Sequence, residues 1–178
     1  MTATEYRSQL KDFIQDLPKI AERLCIEQAQ SGLTIVKDRS TRNGIFLDSE
    51  EGNYVDYSSR KVATKKFVGK ERNGKGTDFI KSIRFGTWHE FRKAQGLQSE
   101  KVNLSYTSRM WSSMGILRIA RLENGVMTVI GSTDSVVDKY LPDLVKRYGN
   151  FINPTEDEIL ELQKDTTADI LRIFKNRL

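Results

Sequence analysis

Residues 147–158 read Arg147-Tyr148-Gly149-Asn150-Phe151-Ile152-Asn153-Pro154-Thr155-Glu156-Asp157-Glu158, a stretch that closes one helix, turns, and opens another. Gly149 supplies the left-handed residue with which helices commonly end. Pro154 blocks continuation, and Thr155 with Glu158 has the spacing of a capping box, in which each side chain reaches the other's backbone N–H. The flanking segments agree. Upstream, residues 134–148 put Val136, Val137, Tyr140, Leu141, Leu144, Val145 and Tyr148 in helical register, with Pro142 as a flaw. Downstream, residues 155–178 carry Ile159, Leu160, Leu162, Ile170, Leu171, Ile173 and Phe174 on an amphipathic helix.

The same period opens the chain. From Tyr6, apolar residues at Leu10, Phe13, Ile14, Leu17, Ile20, Ala21, Leu24, Cys25, Ala29, Leu33 and Val36 keep one helix face buried. Pro18 interrupts the hydrogen-bond ladder two residues after Asp16, so the sequence predicts a kink, or two helices meeting near Leu17. Later, residues 110–121 and 122–131 read as paired strands. Glu123-Asn124-Gly125 is the hairpin turn between them, because Asn-Gly tolerates the positive φ that tight hairpins use. Between these blocks, Trp88-His89-Glu90-Phe91-Arg92-Lys93-Ala94-Gln95-Gly96 reads as a short helix closed by its glycine. The fold class expected is α+β, with a long first helix and C-terminal helices packed on a small antiparallel sheet.

The remaining segment, over about 38–86, is different in kind. Asn43-Gly44, Glu51-Gly52-Asn53 and Asn73-Gly74 are turn signals, and apolar residues thin out. From 60 to 93 the basic residues Arg60, Lys61, Lys65, Lys66, Lys70, Arg72, Lys75, Lys81, Arg84, Arg92 and Lys93 face only Glu71, Asp78 and Glu90. This predicts an irregular basic arm attached to one domain spanning 1–178. Two readings of the arm stand side by side. It is either a solvated loop, or a contact surface in which Phe67, Phe79, Phe85 and Trp88 anchor an acidic neighbour or nucleic acid.

A chain of 178 residues with 38% hydrophobic and 9% aromatic content is enough for one core. Its 29 basic and 24 acidic residues leave a net charge of +5, a mild excess that tolerates polyanions without demanding them. The single cysteine, Cys25, excludes an internal disulfide and sits on the apolar stripe of the first helix. No apolar run approaches membrane-spanning length and the first residues lack a signal peptide's basic and apolar parts, so a soluble protein, cytoplasmic when made, is expected.

The search for reacting groups returns little. Gly69-Lys70-Glu71-Arg72-Asn73-Gly74-Lys75-Gly76 approaches a phosphate-binding loop but lacks the Ser or Thr directly after Lys75. His89 is the only histidine, and its neighbour Glu90 points about 100° away on a helix, so neither a triad nor a zinc site can be assembled around it. Glu156, Asp157, Glu158 and Glu161 gather where carboxylates complement the positive end of a helix dipole. The inventory predicts no enzyme, no cofactor and no metal.

Several fragments together resemble the tail-completion, or virion-morphogenesis, proteins of tailed bacteriophages, most nearly versions from phages of Bacteroides-type hosts. They are Ile35-Val36-Lys37-Asp38-Arg39 with Gly44, Asp56-Tyr57-Ser58, residues 88–98, Val102-Asn103-Leu104, Thr107, Met110, Tyr148-Gly149-Asn150-Phe151 and Pro154-Thr155. Their order agrees along almost the whole chain. Where the family usually has glycine after the central threonine, Thr107 is followed by Ser108. The resemblance implies a structural virion protein that forms a homo-oligomeric ring in the head–tail connector or neck, between portal and tail proteins. Its symmetry would be six-fold following the tail or twelve-fold following the portal. Genomic DNA would pass through the channel without sequence readout, and no membrane is involved. Candidate interface residues are Trp88, Arg92, Trp111 and Phe151 with the basic Lys65, Lys66, Lys70, Arg72 and Lys75. The alternative is a nucleic-acid-binding accessory protein using the same basic arm.

Overall fold

The computed structural model describes residues 2–104 and 108–177, so Thr107 of the central motif lies outside the described residues. Helix α1 spans Ala3–Arg42, forty residues and about 60 Å at 1.5 Å per residue. It starts on a capping box: the Thr2 N–H donates to Glu5 Oε2 at 2.6 Å, and the Glu5 N–H to Thr2 Oγ1. The helix runs through Pro18 as one element. Pro18 and Ile14 are both exposed, so the carbonyl that loses its intrahelical partner faces water. The helix also extends past Asp38 to Arg42, where Asn43 donates its N–H to the Arg39 carbonyl.

The C-terminal half of α1 holds the main core. Val36 packs with Ile45, Val102, Met110, Trp111, Met114, Val137, Tyr148 and Phe151. Short elements follow in order: strand β1 (Val62–Ala63), a 3-10 turn over Thr64–Phe67, helix α2 (Thr77–Ser82), strand β2 (Phe85–Gly86), helix α3 (Trp88–Ala94) and helix α4 (Arg109–Ser113). Then come strand β3 (Met114–Leu122), strand β4 (Gly125–Ser132), helix α5 (Ser135–Tyr148) and helix α6 (Glu156–Arg177). Two antiparallel two-stranded sheets result, β1 with β2 and β3 with β4. The β3–β4 register pairs Met114 with Ser132 and Leu122 with Gly125, with an irregularity between Ile116 and Arg118. Helix α1 packs against this hairpin and against α6.

The α+β fold with its long first helix and C-terminal helices is therefore as expected, with three local corrections. Residues 110–113 are helical rather than extended, because Met110 and Trp111 both turn inward from α4 to the core. At the hairpin, Glu123, Asn124 and Gly125 all keep negative φ, so the Asn-Gly pair is not used in the way hairpin statistics favour. Gly149 has positive φ but extended ψ (69°, −161°), a conformation essentially restricted to glycine and distinct from a left-handed cap. An added Cβ there would collide with the Asp48 carboxylate.

The capping box of α6 forms as read: the Thr155 N–H donates to Glu158 Oε2 at 2.8 Å and the Glu158 N–H to Thr155 Oγ1 at 3.3 Å. Glu158 also meets Arg39 of α1 at 2.6 Å, which ties the two long helices together. Burial pulls the Arg39 guanidinium down from its usual range, and Glu158 opposes the shift.

Candidate functional site

The basic segment does not remain a loose arm. Phe67, only 2% exposed, stacks on Phe91 of α3 with ring centroids 4.6 Å apart, and Trp88 and Phe79 lean on the same pair. These four rings make a small core of their own. Around them β1 pairs with β2, and the Thr64 hydroxyl donates to the Ile83 carbonyl at 2.5 Å. Capping of α3 by Thr87 and Glu90 holds the Glu90 carboxyl below its ordinary range, chiefly through the Thr87 N–H.

The glycine-rich stretch is a tight turn docked on this lobe. Asn73 and Gly74 both have positive φ between Arg72 and Lys75, and the Arg72 N–H donates to Gln95 Oε1 at 3.1 Å. Gly76 sits so close to Phe91 and Gln95 that a Cβ would come within 2.9 Å of each. The backbone is closed against α3, not arranged as an open phosphate cradle. Lys65, Lys66, Lys70, Arg72 and Lys75 all project from the lobe as exposed side chains, Lys70 lying 5.6 Å from the Trp88 ring centroid.

The other candidate interface residues divide differently. Trp111 is 1% exposed and Phe151 is fully buried, meeting edge to face at 6.3 Å, and Tyr148 meets Phe151 the same way. Arg92 is 2% exposed. Its Nε donates to the Gln98 carbonyl at 2.6 Å and Nη2 to Asn103 Oδ1 at 3.3 Å, with the guanidinium 5.2 Å from the Tyr57 ring. Arg92, Trp111 and Phe151 are thus interior residues of this chain, not contact surface. Sequence reading missed Asn103, whose Nδ2 donates to the Thr41 carbonyl and whose own carbonyl accepts Trp111 Nε1–H at 2.9 Å. That one residue joins the lobe, the end of α1 and α4, and nothing in its local sequence between Val102 and Leu104 signals it.

A cavity of about 410 Å³ opens beside this network, lined by Tyr57, Trp88, Arg92, Tyr140, Arg147 and Tyr148 among others. Burial pushes the Tyr57 hydroxyl above its ordinary range, while Arg92 works against the shift. The cavity's polar lining is chiefly guanidinium and phenol groups, with the Asp56 carboxylate and Ser58 hydroxyl also on the wall. His89 is anchored through Nδ1 to the Ser99 carbonyl at 2.7 Å. Cys25 is half-buried against the hairpin, its Sγ 3.5 Å from the Val126 carbonyl. Among the described residues, no group of three or more His, Cys, Asp or Glu is placed to hold a metal ion, and no helix is long and apolar enough to cross a membrane.

What the molecule does offer is surface. Its accessible area is 11885 Å², whereas a compact monomer of 20.4 kDa exposes about 8,800 Å². The exposed large apolar residues concentrate on the outer half of α1 (Tyr6, Ile14, Leu17), the β3–β4 hairpin (Leu117, Ile119, Leu122, Met127, Val129, Ile130) and α6 (Ile159, Leu160, Ile170, Leu171, Phe174). Single exposed apolar residues are ordinary, but here three elements each carry several of them. Compared with protein families, curated proteins and solved structures, the chain finds no significant match in any of the three.

Proposed function

We propose that this chain is a structural subunit, without catalytic activity, that assembles into a homo-oligomeric ring. By its resemblance to tail-completion proteins, the ring belongs to the head–tail connector of a tailed-phage virion, between portal and tail proteins. The observation that carries the assembly reading is the excess of exposed surface, about 3,000 Å² beyond a compact monomer. Shared between two contact faces, it corresponds to about 1,500 Å² per partner at each, within the range of obligate interfaces. Used in one two-fold contact, the same area would make an interface of about 6,000 Å² in total, larger than most obligate dimers bury. Two different faces per subunit are the geometry of a closed ring or a filament.

The exposed basic side chains of the lobe, Lys65, Lys66, Lys70, Arg72 and Lys75 among them, favour the second reading, in which the protein binds nucleic acid, and they also suit a ring through which DNA passes. Mass measurement of the purified protein under native conditions tests the first reading directly. A defined oligomer larger than a dimer is expected, and a monomer at tens of micromolar overturns it. Duplex DNA titrated at rising salt separates the second: each neutralised phosphate steepens the loss of affinity, so tight binding near physiological salt with a steep slope favours the accessory-protein reading.

A further inference from the structure

The β3–β4 hairpin is a two-stranded sheet with both outer edges unpaired among the described residues. Isolated two-stranded hairpins are marginal in water, and exposed edges are normally guarded by charge, proline or very short length. Strand β4 carries no charge and no proline over the eight residues Gly125-Val126-Met127-Thr128-Val129-Ile130-Gly131-Ser132, although Cys25 Sγ of α1 reaches the Val126 carbonyl at its turn end. One face of the hairpin turns to α1, where Thr128 Oγ1 lies 4.0 Å from Cys25 Sγ. By strand alternation Met127 and Val129 are on the other face, and both are exposed.

The edge of β4 is also reachable. A groove of about 490 Å³ runs between β4 and α6, floored by Cys25, Ala29 and Gly32 of α1. Thr128, Val129 and Ile130 line it together. Because successive strand residues point to opposite faces, three in a row on one wall means that the groove exposes the strand's edge.

Charge selects the occupant. Strand β3 carries Arg118, and Arg121 whose charge is met by Glu22 of its own α1, so pairing two β3 edges across Arg118 would set that arginine beside its copy. Pairing two β4 edges would leave every β3 edge bare. Joining β4 of one copy to β3 of the next avoids like-charge contact and covers both edges, with strands of eight and nine residues matched in length. We propose that β4 of each subunit pairs through its open edge with β3 of a neighbouring copy, so that the hairpins of the assembly join into one continuous sheet. This rests on the ring reading and names the contact that would close it.

The test uses single-cysteine variants in a Cys25→Ser background, with a short bis-maleimide as the probe and circular dichroism to check that each variant folds. Within the hairpin Ala120 pairs with Met127 and Arg118 with Val129, so all four lie on the exposed face. Val129→Cys co-expressed with Ala120→Cys, or with Arg118→Cys to cover a shift in register, is expected to give a covalent dimer. Each variant expressed alone is expected to give none. Cross-linking of Val129→Cys with itself would overturn the proposal in favour of a two-fold β4 contact. An oligomer by native mass with no cross-link in any combination would overturn the hairpin contact while leaving the ring intact. A monomer would overturn both.

Discussion

Replacing Phe67 by alanine tests whether residues 62–96 are a folded lobe or a tethered loop. The ring is 2% exposed and meets three others, stacked on Phe91 at 4.6 Å and inclined to Trp88 at 5.6 Å and to Phe79 at 6.3 Å. Truncating a buried phenylalanine costs about 3–5 kcal/mol, and the upper half of that range applies where stiff neighbours cannot collapse into the space. Here all three neighbours are aromatic, and Phe91 is fixed further by the helix that carries Arg92. We expect a loss of about 4 kcal/mol, a large part of the 5–15 kcal/mol typical of a whole domain. In urea, with a slope near the upper end of 1–3 kcal/mol/M, that moves the midpoint down by about 1.5 M.

The chain supplies its own probes. Trp88 lies in the lobe and Trp111 in the main core, and there are no other tryptophans. Trp111→Phe leaves the lobe reporter and Trp88→Phe leaves the core reporter, so each melt is read separately. In the parent, the Arg92–Asn103–Trp111 connection is expected to make the two signals coincide. With Phe67→Ala the Trp88 signal is expected to melt first, and proteolysis is expected to begin within 60–76. If Phe67→Ala shifts neither signal by more than about 1 kcal/mol, below any buried phenylalanine truncation, the aromatic lobe is not what orders this segment.

Gly149→Ala forces a side chain into a glycine-only conformation and onto the Asp48 carboxylate that accepts the Asn150 N–H, and should cost about 2 kcal/mol or more, read by thermal denaturation. Thr155→Ala removes half of the α6 capping box and should cost about 1 kcal/mol, with Thr155→Ser restoring most of it. Asp134 caps α5 and accepts from Arg109 at 2.5 and 3.0 Å, and the Arg109 hydrogen bond chiefly holds its carboxyl below the ordinary range. A carboxylate with a depressed folded-state pKa stabilises above its unfolded value and loses that contribution as pH falls through the folded value, so Arg109→Ala should flatten the acid limb of a stability-versus-pH curve and leave the alkaline limb unchanged. Lys65→Ala, Lys66→Ala and Lys70→Ala combined should leave the melting curve unchanged, since all three side chains are exposed, while reducing the salt slope of any duplex DNA binding.

The elements legible in the sequence were those whose signals are local. A 3.6-residue period over thirty positions, a Thr-x-x-Glu box before Ile159 and an Asn-Gly pair between two apolar runs each depend on neighbours within a few residues. The aromatic lobe escaped because Phe67, Phe79, Trp88 and Phe91 share no period, and their meeting depends on the β1–β2 pairing, which brings Val62 to Gly86. Arg92 read as surface for the same reason. The Asn103 side chain, the Gln98 carbonyl and the Tyr57 ring help make its burial tolerable, and none of them is adjacent to it in sequence. Helix α4 is five residues long, too short for its period to be told from strand alternation.

The unequal burial along α1 links the fold to the proposed assembly. Of residues 2–20 only Phe13 is buried in the chain, where it meets Phe174 of α6 edge to face at 5.6 Å. Two ion pairs at the surface also tie this part of the helix, Asp16 with Arg177 and Glu22 with Arg121, and exposed pairs add little. Helical stability in water comes mostly from packing an apolar face, and on this half of α1 Phe13 is the one buried side chain. Tyr6, Ile14 and Leu17 lie exposed on this half, and the hairpin and α6 carry further uncovered apolar residues. A neighbouring copy laid against this end would bury all three elements at once. Hydrogen exchange along α1 should then show fast exchange over 3–20 in dilute protein and protection of the same residues in the assembled state, whereas residues 33–42 should be protected in both. Equal exchange of 3–20 in the two states would mean that the outer half of the helix is not part of the contact.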